Sequence, residues 1–129
     1  KIIKNSGFEK KIIFLRKATR KTMKKELSNS DCFLSSSLHE TFGVVLIEAL
    51  AFGVPVISTM AEGPSEIVNN NNGFLVKHND QISYTNCMRK IFLKKKKFNR
   101  LKLRKNIIKR FGPKKFAESI NKIYKKCLN

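Results

Sequence analysis

Two carboxylates raise the chemical question in this chain. Glu40 and Glu48 stand in the stretch Ser35–Ser58, which reads SSSLHETFGVVLIEALAFGVPVIS. Glu40 precedes an expected helix start. Glu48 falls inside that helix, among Val44, Val45, Leu46, Ile47, Leu50 and Phe52. Between Asp31 and Val76 there is no Lys or Arg to pair with either. A buried carboxylate without a partner is rare. A helix apolar nearly all round is expected to be buried and to turn its one acidic group toward a cleft. There Glu48 could accept two hydrogen bonds from neighbouring hydroxyls. In the alternative, Glu48 is structural, bonded to backbone N–H groups or to an arginine from another segment.

The helix expected at Phe42–Phe52 offers a second kind of chemistry. Its first N–H groups, near Phe42, Gly43 and Val44, carry the positive end of the helix dipole. Gly43 allows a ligand to approach the backbone closely. Such a terminus suits an anion, most commonly phosphate. Glu40 again has two readings. It can support the helix start through its charge. It can also hold a sugar hydroxyl beside the phosphates and stabilise positive charge developing at an anomeric carbon. His39–Glu40 resembles the start of H-E-x-x-H, but position 43 is Gly, so a zinc reading fails. His39 reads as an exposed loop residue. No Asp-x-Asp occurs, so paired carboxylates do not support a metal-bridged diphosphate. No metal and no cofactor is expected.

These residues need a scaffold, and the surrounding pattern is that of an α/β sheet. Lys11–Leu15, Asp31–Ser35, Pro55–Ser58 and Phe74–Val76 read as strands. Thr19–Leu27 and Phe42–Phe52 read as helices, the first stopped by Ser28–Asn29–Ser30 and the second by Gly53. Ser65–Val68 reads as one helical turn. Asn69–Gly73 reads as a turn in which Asn72 and Gly73 supply positive φ. From Gln81 the pattern is helical. Ile82, Met88, Ile91 and Phe92 form one apolar face, followed by Phe98, Leu101, Leu103, Ile107 and Ile108. Pro113 opens a last helix with Phe116, Ile120 and Ile123 inward. In parallel sheets ligands sit outside the carboxyl ends of the strands. That places the loops 36–41 and 59–64 on one edge and brings Glu40 to it.

The chain has 129 residues and a formal net charge of +19. Ten of its basic residues precede residue 31 and the other eighteen follow residue 76. Lys94–Lys97 reads as a solvated helix end. Basic flanks around an uncharged-to-acidic centre favour anionic partners. The three cysteines, Cys32, Cys87 and Cys127, show no metal-ligand spacing and suggest reduced thiols in a cytoplasmic protein. The longest apolar stretch is too short to span a membrane.

Four linked elements in this order and spacing resemble the C-terminal, donor-binding half of family 4 glycosyltransferases. They are Glu40-x-Phe42-Gly43 with Glu48-Ala49, then 51–57 (AFGVPVI), then 63–68 (GPSEIV), then 72–76 (NGFLV). The looser resemblance runs from Lys11 to about Tyr124. It implies a Rossmann-like parallel sheet with flanking helices, the C-terminal half of a GT-B fold, and a helical tail over 81–129. It implies one nucleotide-sugar-binding domain over 1–129, with its signature in 31–76. It implies a UDP- or GDP-sugar donor and retaining, metal-independent, hexosyltransferase-type transfer to a lipid, glycan or other acceptor. On this resemblance Glu48 binds the ribose hydroxyls. Glu40 is catalytic and contacts the donor sugar, and the backbone at Phe42, Gly43 and Val44 meets the diphosphate.

Arg16 stands where the family has Gly. The family's diphosphate-gripping Arg and Lys, and its N-terminal acceptor domain, fall upstream of Lys1. The chain is therefore expected to be a part of an enzyme, inactive alone and partnered by that missing domain. The basic flanks fit a peripheral enzyme at an anionic membrane. Two alternatives remain open. One is a basic nucleic-acid-binding module, against which the signature segment carries no basic residue and no nucleic-acid motif appears. The other is a non-catalytic sugar-nucleotide binder.

Overall fold

The computed structural model describes residues 7–94 and 96–128. Lys95 of the four-lysine run, and the chain ends at Lys1 and Asn129, lie outside the described residues. Among the described residues three parallel strands form the sheet: β1 (Phe33–Ser35), β2 (Val56–Thr59) and β3 (Gly73–Val76), in the order β1-β2-β3. Val56 lies opposite both Phe33 and Gly73 in the register. Among the described residues six α-helices accompany it: α1 (Arg20–Asn29), α2 (Val44–Ala51), α3 (Glu62–Ile67), α4 (Gln81–Phe92), α5 (Arg100–Phe111) and α6 (Pro113–Cys127). The α/β architecture expected from the alternating pattern is thus the observed one, with the helical tail in place.

All four residues of β2 are buried, as a central parallel strand requires. Val56 joins Leu46, Ala49 and Leu50 of α2, Ile67 of α3, and Leu103 and Ile107 of α5 in one core. Ile57 is fully buried outside that cluster, because successive strand side chains take opposite faces. Helix α4 packs on β2 and β3. Complete burial of Leu46 and Leu50 stabilises the fold by about 2 kcal/mol each. Two arginines from α5 tie the layers together. The Arg100 guanidinium donates to the carbonyls of Ser28 (3.0 Å), Ser30 (3.3 Å) and Phe52 (3.4 Å). Arg110 donates to Glu66 and to Ile67 (3.2 Å). These carbonyls end α1, α2 and α3, where helices leave acceptors unpaired.

Four local expectations are corrected. Lys11–Leu15 is no strand: Glu9–Lys11 forms a 3-10 turn and 12–15 run exposed, Ile13 by 84%. A β-branched run becomes a strand only against a ladder partner, and among the described residues β1 pairs only with β2. The turn before β3 uses no positive φ at Asn72 or Gly73. Instead the buried Asn72 side chain accepts the Asn69 N–H at 2.7 Å and donates to the Ile67 carbonyl at 2.9 Å. Gly73 is there because a Cβ would lie 2.1 Å from the Val56 carbonyl oxygen.

The single turn read at Ser65–Val68 is a longer helix, α3, that already starts at Glu62. Finally, the last helix, expected to turn Phe116, Ile120 and Ile123 inward, has Phe116 and Ile123 outward, and the other apolar residues of the tail divide between the two sides. Ile82, Phe92, Leu101, Phe116 and Ile123 are exposed, while Leu103 and Ile107 are buried. Periodicity gives a helix its apolar stripe but does not say what covers it.

Candidate donor site at the carboxyl edge of the sheet

Helix α2 starts at Val44, two residues later than its sequence suggests, because Gly43 is its N-cap in the left-handed conformation (φ 89°, ψ 43°). A Cβ there would also press on Leu46 and Ile67 at 3.2 and 3.3 Å, so glycine answers both demands. Glu40 folds back onto this start. Its Oε1 accepts the Gly43 N–H at 3.0 Å, and its own carbonyl accepts the Gly63 N–H at 3.2 Å. Gly63 approaches so closely that a Cβ would lie 2.4 Å from the backbone of Phe42. The loops leaving β1 and β2 are thereby stitched together on one edge, as the parallel topology demands.

The five residues singled out in the sequence are placed as follows. Glu40 is half-buried and bonded within its own loop. Phe42 is 47% exposed and meets Phe111 edge-on, with ring centroids 6.1 Å apart. Gly43 is buried, and its N–H is taken by Glu40. Val44 opens the helix and is exposed. As the first two helical residues, Val44 and Val45 have N–H groups with no intrahelical acceptor, and no other acceptor serves them among the described residues.

Glu48 is exposed, and its carboxylate has no hydrogen bond or ion pair among the described residues. The expectation of a helix buried on all sides is corrected here. Leu46, Ala49 and Leu50 face the core, while Val44, Val45 and Glu48 form an exposed stripe at i, i+1 and i+4.

Sequence reading missed a second cluster on the same edge. A cleft of about 400 Å³ lies beside β3 and is lined by Ser36, Thr59, Lys77, His78, Asp80 and Tyr84, among others. The Tyr84 hydroxyl donates to the carbonyls of Ser35 and Ile57, both at 3.2 Å, joining the end of β1 to β2. Partial burial pushes the Tyr84 phenol above its ordinary value. Asp80 accepts the Ser83 N–H at 2.9 Å and caps α4, and its hydrogen bonds to Ser83 hold its carboxyl below the usual range. The available signal was position: residues 77–80 follow β3 as 36–41 follow β1. Below the sheet edge, burial drives the Cys32 thiol up to about 12.

Comparison with known proteins defines the class first. The fold matches the apo form of a lipopolysaccharide outer core galactosyltransferase with a TM-score of 0.81 over 93% of this chain and 35% of the other, at 22% identity. This is the fold of the C-terminal domain of a GT-B glycosyltransferase. A model of the family described as glycosyl transferases group 1 matches residues 1–111, and the chain belongs to that family. Sucrose-phosphate synthase 4 of Arabidopsis thaliana is 41% identical over 64 residues, 49% of this chain and 6% of that protein. The N-acetyl-alpha-D-glucosaminyl L-malate synthase of Bacillus anthracis is 36% identical over 80 residues, 61% of this chain and 20% of that protein. The chain thus spans a fifth or less of these curated relatives. Among the described residues no helix is long and apolar enough to cross a membrane.

Proposed function

We propose that residues 1–129 are the nucleotide-sugar-binding domain of a retaining, metal-independent glycosyltransferase that works together with an N-terminal acceptor domain. In this reading the Glu48 carboxylate accepts hydrogen bonds from the two ribose hydroxyls of a UDP- or GDP-sugar. The backbone at Phe42, Gly43 and Val44 faces the diphosphate. With the Gly43 N–H occupied, the Val44 N–H, seconded by that of Val45, is the group left to meet negative charge. Glu40 stands at the sugar end. Holding Gly43 with one oxygen leaves its second oxygen for a donor-sugar hydroxyl or for positive charge at the anomeric carbon.

The observation that carries the reading is the pairing of a free Glu48 carboxylate with open helix N–H groups on one exposed stripe of α2. Family membership supports a transferase, and the relatives named above are sugar-transferring or sugar-conjugate-forming enzymes by name. A basic nucleic-acid module is less well supported, since the exposed stripe of α2 carries an acid and no base.

Titration calorimetry of this chain with UDP and with GDP tests the proposal. One nucleotide should bind, and Glu48→Ala should weaken it about a hundredfold, the loss of about 3 kcal/mol of charge-assisted hydrogen bonding. Equal affinity in the variant would remove the ribose role.

A further inference from the structure

Thr59 closes β2 at the sheet edge that carries Glu40. It stands one residue past the last rung that β2 shares with β1, since Ser35 ends β1 opposite Ser58. On its other side Thr59 still lies opposite Val76 of β3. The chain leaving β1 at Ser36 has therefore lost its ladder partner, and a side chain takes over. The Thr59 hydroxyl donates to the Ser37 carbonyl at 2.5 Å. Thr59 is itself buried, which strengthens that bond by keeping water from competing for it. Its β-branched side chain has few rotamers to choose from, so the hydroxyl is aimed.

Within this domain residues 36–39 are all exposed, so hydrogen bonds rather than packing hold them. Two come from the end of β2 and the loop after it: Thr59 to the Ser37 carbonyl, and the Gly63 N–H to the Glu40 carbonyl at 3.2 Å. Fixing the backbone at both 37 and 40 fixes the direction in which the Glu40 side chain leaves it. The Gly63 bond is made by backbone alone, whereas the Thr59 bond requires a hydroxyl.

We infer that Thr59 is a positioning residue for Glu40. Its hydroxyl pins the loop in which Glu40 spends one oxygen on Gly43 and keeps the other for the donor sugar. The task of Glu40 at the sugar rests on the donor-site reading above; the grip of Thr59 on the loop does not. Valine at this position would match the shape of threonine and leave the Ser37 carbonyl without its donor.

Hydrogen exchange of the chain, followed amide by amide by NMR, tests the grip without a ligand. In Thr59→Val the Gly43 amide should exchange about tenfold faster, while the amides of Leu50 and Ile57 keep the rates of the parent. Thr59→Ser should restore slow exchange at Gly43, and Thr59→Ala repeats the comparison if the valine variant does not fold. Calorimetry gives the second readout, with UDP and GDP set against UDP-glucose and GDP-mannose. Thr59→Val should weaken the sugar nucleotide about fivefold and leave the bare nucleotide unchanged. In a Glu40→Ala background Thr59→Val should weaken it no further, because both changes act through one carboxylate. Three results would overturn the inference: unchanged exchange at Gly43, equal acceleration at Gly43 and in the core, and equal weakening of nucleotide and sugar nucleotide. Failure of the parent chain to bind any of the four probes would end the donor-site reading instead, and the exchange rates would still decide for or against Thr59.

Discussion

Between Phe33 and Val76 the only charged side chains are four glutamates, and strand β2 is buried along its whole length. Between Gln81 and Cys127 lysine and arginine dominate, and neither α4 nor α6 contains a fully buried residue. The first region is shaped from inside. Its glycines sit where backbones nearly touch, and its turns are closed by buried side chains such as Asn72. The second region is held at a few points, Leu103, Ile107, Arg100 and Arg110, and presents its remaining faces outward. Functional precision is therefore expected in the first region and partner contact in the second.

The contrast is broken most severely by Gly73→Ala. Its Cβ would enter the β2–β3 ladder 2.1 Å from a backbone oxygen, where no flexible atom can yield. A loss of about 3 kcal/mol is expected in a urea melt. An equal loss from a glycine-free exposed position such as Ile82→Ala would erase the distinction between the regions.

Within the first region the two glutamates should separate cleanly. Glu40→Ala removes the acceptor of the Gly43 N–H and should cost about 1 kcal/mol of stability. Glu48→Ala should leave the same melt unchanged while abolishing most nucleotide affinity. If both variants melt like the parent, the loop before α2 is not held by Glu40.

A smaller effect is expected at the seam between the regions. Tyr84→Phe deletes the hydroxyl that α4 extends to the end of β1 and to β2, and should cost no more than about 1 kcal/mol by chemical denaturation.

The gentlest test is chemical. Cys127 is exposed and should alkylate with iodoacetamide near neutral pH, while Cys32 should not. Because the folded Cys32 thiol titrates at about 12 against an ordinary 9.0, the unfolded chain releases its proton first. Its contribution to stability is full below pH 9 and is lost as pH rises toward 12. Parallel alkylation of Cys32 and Cys127 in the native state would show that partial burial does not protect Cys32.

Much of the first region is legible in the residue string. Alternation of β-branched runs with a helical stretch gives β1-α2-β2-β3, and Gly53, with φ 74°, ends α2 as its position suggests. The linked run from Glu40 to Val76 carries the resemblance to the family, and the family model that matches residues 1–111 includes it. Pro113 opens α6 as read. Lys11–Leu15 was not legible as an exposed segment, since strand propensity says nothing about the presence of a neighbour.

The sequence alone determined the class of fold, the element order from β1 onward and which loops share one edge of the sheet, because backbone periodicity and glycine or proline placement are local properties. Only the tertiary structure decided that Glu40 spends one oxygen on Gly43, that Glu48 is exposed without a side-chain partner among the described residues, and that the apolar arc of α6 is exposed. Those outcomes depend on which faces other segments cover, and burial is a property of distant contacts that no local pattern encodes.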